Sequence, residues 1–223
     1  MVNFNISPIM FKNVLRGSYS KHTMNDKVTH INTKDKKLKI HSVKKLYHGT
    51  NTLYDTVDLN LCQPFKDFGV GYYLTTDKAQ AQKWAQHKAN HSDIAYIYSY
   101  SIRKPFDADL RVREFLKYDK DWVDFITANR TGLIDEKYDI VYDRIADNNW
   151  QNITQILTSY KAGQMDADEV IRHLQKRDTS ADQYCFKTAN ALSILENPRR
   201  FFLRRNSKGK WNAPIELKGE KNE

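Results

Sequence analysis

The alternation of apolar and polar positions divides this chain into an unpatterned start, a patterned body and a charged end. Residues 1–43 hold no sustained period and include the polar run Ile31-Asn32-Thr33-Lys34-Asp35-Lys36-Lys37. They read as an arm, with at most a short helix near Ile9 to Leu15. From residue 44 to 215 strand and helix signals alternate, and residues 216–223 form a charged tail. Lys45 to Gly49 and Gly71 to Thr75 predict short strands, the second aromatic with a threonine end. Thr76 or Asp77 can cap a helix running to about Asn90, with Ala79, Trp84 and Ala85 on its inner face. Ile94 to Ile102 puts Ile94, Tyr96, Tyr98, Tyr100 and Ile102 on one face of a long strand. Val112 to Arg130 predicts a helix with the stripe Phe115, Trp122, Phe125 and Ile126, which Asp119 to Asp121 can interrupt.

Further along, Asp139 to Ala146 reads as a strand. Trp150 to Tyr160 and Asp166 to Lys176 read as a helical hairpin about Ala162-Gly163. Gln183 to Lys187 is a strand, Ala189 to Leu195 a helical turn, and Arg200 to Arg205 the last strand. Strands and helices mixed without regular strand–helix–strand spacing predict an α+β fold.

Composition narrows the class. Hydrophobic residues at 40% and aromatics at 12% suffice for a core. No apolar run approaches the roughly 20 residues that span a bilayer, so no membrane partner is expected. Met1 to Leu15 lacks a basic flank followed by an apolar stretch, which predicts no secretory signal. Cys62 and Cys185 are too few for a disulfide framework and lack metal-ligand spacing, and the seven histidines form no metal cluster. A cytoplasmic location and no metal follow as expectations. The net charge of +9 sits at the ends: ten basic against two acidic residues before Leu46, eight against four after Leu195, and −3 between. Such ends either solubilise the domain or guide it to RNA, DNA or an acidic partner.

Four segments carry the candidate chemistry: Leu46-Tyr47-His48-Gly49-Thr50, Asp67-Phe68-Gly69-Val70-Gly71-Tyr72-Tyr73-Leu74-Thr75-Thr76, Trp84, and Gln183-Tyr184-Cys185-Phe186. A histidine at a strand end can bond a ribose hydroxyl, and Gly49 beside it lets a planar ligand approach the backbone. Gly69-Val70-Gly71 is not a dinucleotide fingerprint, because no helix follows directly and no third glycine stands at the needed spacing. Trp84 by itself reads as a core residue, and Thr76 as a cap.

In this order, the four segments resemble the NAD-binding sites of ADP-ribosyltransferases of the His-Tyr-Glu branch, which includes diphtheria toxin and the poly(ADP-ribose) polymerases. The likeness covers about residues 44–195. This stretch looks like an uncharacterised bacterial family in that superfamily, typified by Tyr-His-Gly, Asp-Phe-Gly-x-Gly-Tyr-Tyr-Leu and a late Gln-x-x-Phe strand. The resemblance implies a split β-sandwich with NAD, the substrate, in the cleft between its sheets. It implies that His48 holds a ribose, Gly49 bonds the carboxamide through its main chain, and Tyr73 stacks on nicotinamide with Trp84 as a second aromatic. Thr50 and Gly71 line the same cleft, and Thr75 closes a polar gap near the ribose. Gln183 takes the place of the catalytic glutamate and can bond a ribose hydroxyl without supplying charge. Asp182, one residue earlier on the strand, is expected to face away. Arg130, Arg144 and Asp147 are candidate contacts to pyrophosphate or acceptor.

The implied activity is transfer of a single ADP-ribose to a protein, RNA or DNA acceptor. The implied role is a bacterial toxin with an antitoxin or immunity partner, a phage-defence factor or an effector delivered to a target cell. A non-enzymatic module binding NAD, ADP-ribose or nucleic acid is the alternative, and RNA 2′-phosphotransfer a third reading.

Overall fold

A computed structural model of the chain describes residues 39–104, 110–132, 137–144, 150–174 and 182–217. The expected short helix near Ile9 lies outside them, as does most of the arm. Two four-stranded sheets stand face to face. The first contains β1 (Lys45–Thr50), β3 (Ile94–Ile102), β7 (Leu195–Arg204) and β8 (Ile215–Leu217), in the order β1-β3-β7-β8. The second contains β2 (Tyr72–Leu74), β4 (Val112–Glu114), β5 (Ile140–Arg144) and β6 (Asp182–Phe186), in the order β2-β6-β5-β4. All pairs are antiparallel except β4 with β5. Together with five helices among the described residues, this is a mixed α+β fold.

Period-2 side-chain alternation sorts the strand residues into three packed regions. Leu46, Tyr72, Leu74, Tyr98, Tyr100, Ile140, Tyr142, Tyr184 and Phe186 fill the space between the sheets. Val141 and Cys185 turn to the opposite face of the second sheet. There they meet Trp122, Val123 and Ile126 of α2 (Lys120–Arg130), Ile153 and Leu157 of α3 (Trp150–Lys161), and Val170 and Ile171 of α4 (Ala167–Leu174). Ala95 and Ile97 turn outward from the first sheet onto α1 (Lys78–Lys88).

Several boundaries depart from the pattern-based expectations. Val112 to Glu114 is a strand rather than the start of a helix. The helix begins only at Lys120, where the Asp119 carboxylate accepts the Trp122 N–H at 3.1 Å as its cap. On α1 the buried residues are Ala81 and Ala85, while Ala79 is exposed and Trp84 is 45% exposed. The small side chains face the sheet because helix and strand approach too closely for an indole. The folded body starts before residue 44, since Ile40 (0% exposed) and Val43 (6%) lie in the inter-sheet core. It also reaches past residue 215, because β8 runs to Leu217 and pairs with β7.

Candidate functional site

Among the described residues, one backbone bridge joins the edges of the first and second sheets. Tyr47 N–H donates to Thr75 O at 2.8 Å, and Thr75 N–H to Tyr47 O at 2.9 Å. In a regular antiparallel ladder the next bonded pair would be Gly49 with Tyr73. Instead the His48 imidazole occupies that place: its Nδ1 lies 2.7 Å from Tyr73 O. β2 turns away to pair with β6, and the two edges part. Gly49 points its N–H and C=O to the same side as Tyr47 does, the opened edge, by the two-residue period of the strand.

The other side of Gly49 explains why glycine stands there. A Cβ would sit 1.9 Å from Ala81 O and 2.8 Å from Ala85 N, so α1 presses directly on the strand. Gly49 therefore serves helix packing on one side while its peptide faces the opened edge.

His48 is neutral near pH 7. Burial, offset in part by the bond to Tyr73 and reinforced by the Lys88 charge, pulls its pKa down to about 4. A carbonyl only accepts, so Nδ1 carries the proton and Nε2 keeps its lone pair. The ring lies 4.5 Å from that of Tyr72, within a tyrosine network the sequence did not reveal. Tyr54 stacks on Tyr98 at 4.2 Å, the Tyr54 and Tyr72 hydroxyls are 2.7 Å apart, and those of Tyr72 and Tyr100 3.1 Å apart.

Tyr73 belongs to the opposite face of the second sheet. Its hydroxyl donates to Gly69 O at 2.7 Å and accepts from Phe68 N–H at 3.1 Å, and its ring stacks beside Phe68 at 6.1 Å. Burial holds that hydroxyl protonated by pushing its pKa well above the usual phenol value. The loop Asp67–Gly71 is fastened from three other sides. Lys187 Nζ donates to the carbonyls of Phe68 and Val70, Arg130 Nε meets Asp67 Oδ1 at 2.5 Å, and Gln183 Nε2 donates to Asp67 Oδ2 at 3.3 Å. Gly69 adopts φ +76°, and a Cβ on Gly71 would meet Cys185 Sγ at 2.4 Å, so both glycines are required by this loop.

Gln183 shares the Tyr73 face: Cys185 pairs with Tyr73, and Gln183 lies two residues along β6 opposite Asp143. Asp182 faces the other way and accepts from Thr76 N–H at 2.8 Å and Thr76 Oγ1 at 2.7 Å. The Thr75 hydroxyl is 2.9 Å from both Gln80 Oε1 and Asp182 Oδ1, which ties it into the start of α1. Thr50 is buried, and its Oγ1 accepts Thr52 N–H at 3.2 Å. Trp84 makes no ring contact with Tyr73 among the described residues; its indole packs 5.4 Å from His87.

Thus His48 and Tyr73 are joined directly, and Tyr73 and Gln183 share a sheet face. His48 points to the other side of that sheet, and Trp84 stands on the helix behind Gly49. Arg130 is 9% exposed and holds Asp67. The Arg144 side chain and Asp147 lie outside the described residues.

Sequence reasoning gave no role to Asp67, Lys66 or Lys88. Lys66 has its pKa lowered by burial first, then by the charges of Lys88 and Arg130, so these cations are neighbours. Lys88 also acts on His48 and Cys62. Burial raises both thiols, Cys185 to about 12, and neither is a ready nucleophile. A separate cavity of about 270 Å³ lies near β4 and β5, between Lys39, Phe115, Tyr118, Tyr142 and Asp143. Among the described residues, no group of three or more His, Cys, Asp or Glu side chains is arranged to hold a metal, and no helix is long and apolar enough to cross a membrane.

A two-sheet α+β body with an opened strand edge beside a neutral histidine and a buried tyrosine defines the candidate site. The chain belongs to the family described as "Protein of unknown function (DUF3990)", which it matches over residues 44–197. No curated protein and no solved structure matches it.

Proposed function

We propose that this protein is a mono-ADP-ribosyltransferase, with its two sheets forming the split β-sandwich of that superfamily. The observation that carries the reading is the interrupted ladder at Gly49. The His48 imidazole takes the Tyr73 carbonyl, and among the described residues no bond is made to the Gly49 N–H and C=O that stand side by side at the opened edge. A nicotinamide carboxamide offers the complementary pair. Tyr73 and Trp84 then flank the ring, His48 Nε2 accepts from a ribose hydroxyl, and Lys66 and Lys88 supply positive charge for the diphosphate.

In the reaction, the bond between the anomeric carbon and the nicotinamide nitrogen breaks, and its electron pair neutralises the pyridinium. Positive charge builds on the carbon. An acceptor lone pair then forms the new bond and the acceptor loses its proton. Gln183 orients the ribose but carries no charge, which costs on the order of 3 kcal/mol, about a hundredfold in rate, against a carboxylate. Single transfer is therefore favoured over chain growth. The acceptor is a protein, RNA or DNA, and the role is that of a bacterial toxin, phage-defence factor or effector, neutralised in the producing cell by an antitoxin or immunity protein. The amide at position 183 also favours a second reading, a module that binds NAD, ADP-ribose or nucleic acid without turnover.

The test uses NAD labelled on the adenylate phosphate, incubated with the protein and a bacterial lysate. Label that resists nuclease but not protease identifies a protein acceptor; the reverse identifies nucleic acid. Label bound reversibly but never transferred supports the binding module and overturns the transferase.

A further inference from the structure

We infer that Asp67 is a positioning residue that fixes which end of the Gln183 amide faces the cleft. The inference rests on the proposed site, although its geometric half is testable in the free protein. Asp67 is 14% exposed and ion-paired with Arg130 through Oδ1, which leaves Oδ2 as an acceptor only. Gln183 must offer it the donor end, and Nε2 does so at 3.3 Å. The carbonyl branch, Oε1, is thereby turned away from the loop. An unrestrained glutamine presents either end to a ligand. Held by Asp67, this one presents an acceptor, as a carboxylate would.

The arrangement also explains why glutamate is absent at position 183. Opposite Gln183 across the β5–β6 pair stands Asp143, which is buried and accepts from the Trp122 indole N–H. A glutamate would place a third carboxylate between Asp67 and Asp143, and like charges so placed disfavour ionisation. The charged groups around this position are Asp67 from the loop with Lys66 beside it, Arg130 from α2, Asp143 from β5 and, farther along the same face of β6, Lys187, which holds the loop carbonyls. The Tyr73 hydroxyl, on the same face, remains neutral.

Asp67→Asn keeps an acceptor for Arg130 but turns its Nδ2 toward position 183, which reverses the glutamine and presents Nε2 to the ribose. Asp67→Asn/Gln183→Glu presents a carboxylate outward while its other oxygen accepts from the amide introduced at position 67. Nicotinamide release should fall about tenfold in Asp67→Asn, fall in Gln183→Glu alone, and return to the wild-type rate or above in the double variant. An Asp67 that merely anchors the loop predicts no recovery in the double variant, and that result overturns the inference. Independently of turnover, the Gln183 side-chain NH₂ resonances of the free wild-type protein should show a slowly exchanging proton that disappears in Asp67→Asn. Identical resonances in both proteins would also overturn it. If the wild type releases no nicotinamide while the protected NH₂ proton is present, the transferase reading fails and the amide orientation stands.

Discussion

Acidification offers a quantitative check on the geometry around His48. Its ring is held neutral down to about pH 4, against an ordinary value of 6.5. Between those limits the unfolded chain takes up a proton that the folded protein refuses. The unfolded state then binds more protons, so stability is complete above about pH 6.5 and is lost as pH falls toward 4. At about 1.36 kcal/mol per pH unit, the loss across that interval is about 3 kcal/mol. The carboxylates of Asp119 and Asp139 lie below their usual range: Asp119 chiefly through its bond to Lys117, and Asp139 because burial, the largest single influence, is outweighed by the bonds from Arg111 and Thr188 together. Their contribution is therefore lost only at still lower pH. The assay is urea unfolding at steps from pH 7 to pH 4, with His48→Gln as the reference. That variant keeps a neutral donor for Tyr73 O and lacks the titrating group, and every other histidine is common to both proteins. The wild type should lose about 3 kcal/mol more than the variant over the interval. Parallel profiles, or a His48 ring resonance titrating near pH 6.5, would refute the burial and the tautomer assigned to this ring.

Other substitutions probe the elements that shape the site. Gly49→Ala drives a Cβ into Ala81 O and should cost about 2–4 kcal/mol in chemical denaturation; full tolerance would mean that α1 does not lie on β1 as described. Tyr72→Phe removes the hydroxyl between Tyr54 and Tyr100 and should lower stability by about 1 kcal/mol, read by thermal unfolding. Trp84→Ala should leave the melting temperature nearly unchanged, because the indole is 45% exposed, yet weaken NAD binding by about fivefold through the lost stacking. Unaltered affinity by calorimetry would remove Trp84 from the site.

The sequence was most legible where one period dominates. The β3 alternation is visible in the chain and the strand forms over the expected residues, and the helical hairpin about Ala162-Gly163 forms as α3 and α4. Position 112 was misread because Val112-Arg113-Glu114 is too short for its period to separate strand from helix, and the choice is made by pairing with β5. Trp84 was misplaced on the inner face because hydrophobicity was taken as burial. The contact of Gly49 with Ala81 O instead requires small residues there. The His48, Gly49 and Tyr73 segments were identifiable from their order in the chain, but the interrupted ladder was not, since it depends on β2 leaving one sheet for the other. Asp67 was read only as the start of its segment and given no role, because its partners Arg130 and Gln183 stand respectively 63 and 116 residues away in sequence.

Nicotinamide release from NAD by the purified wild-type protein, beside His48→Ala and Tyr73→Ala of verified fold, tests the central claim most directly. The transferase account predicts slow release by the wild type and none above background by either variant. Equal rates in all three, or no release by any, would contradict it.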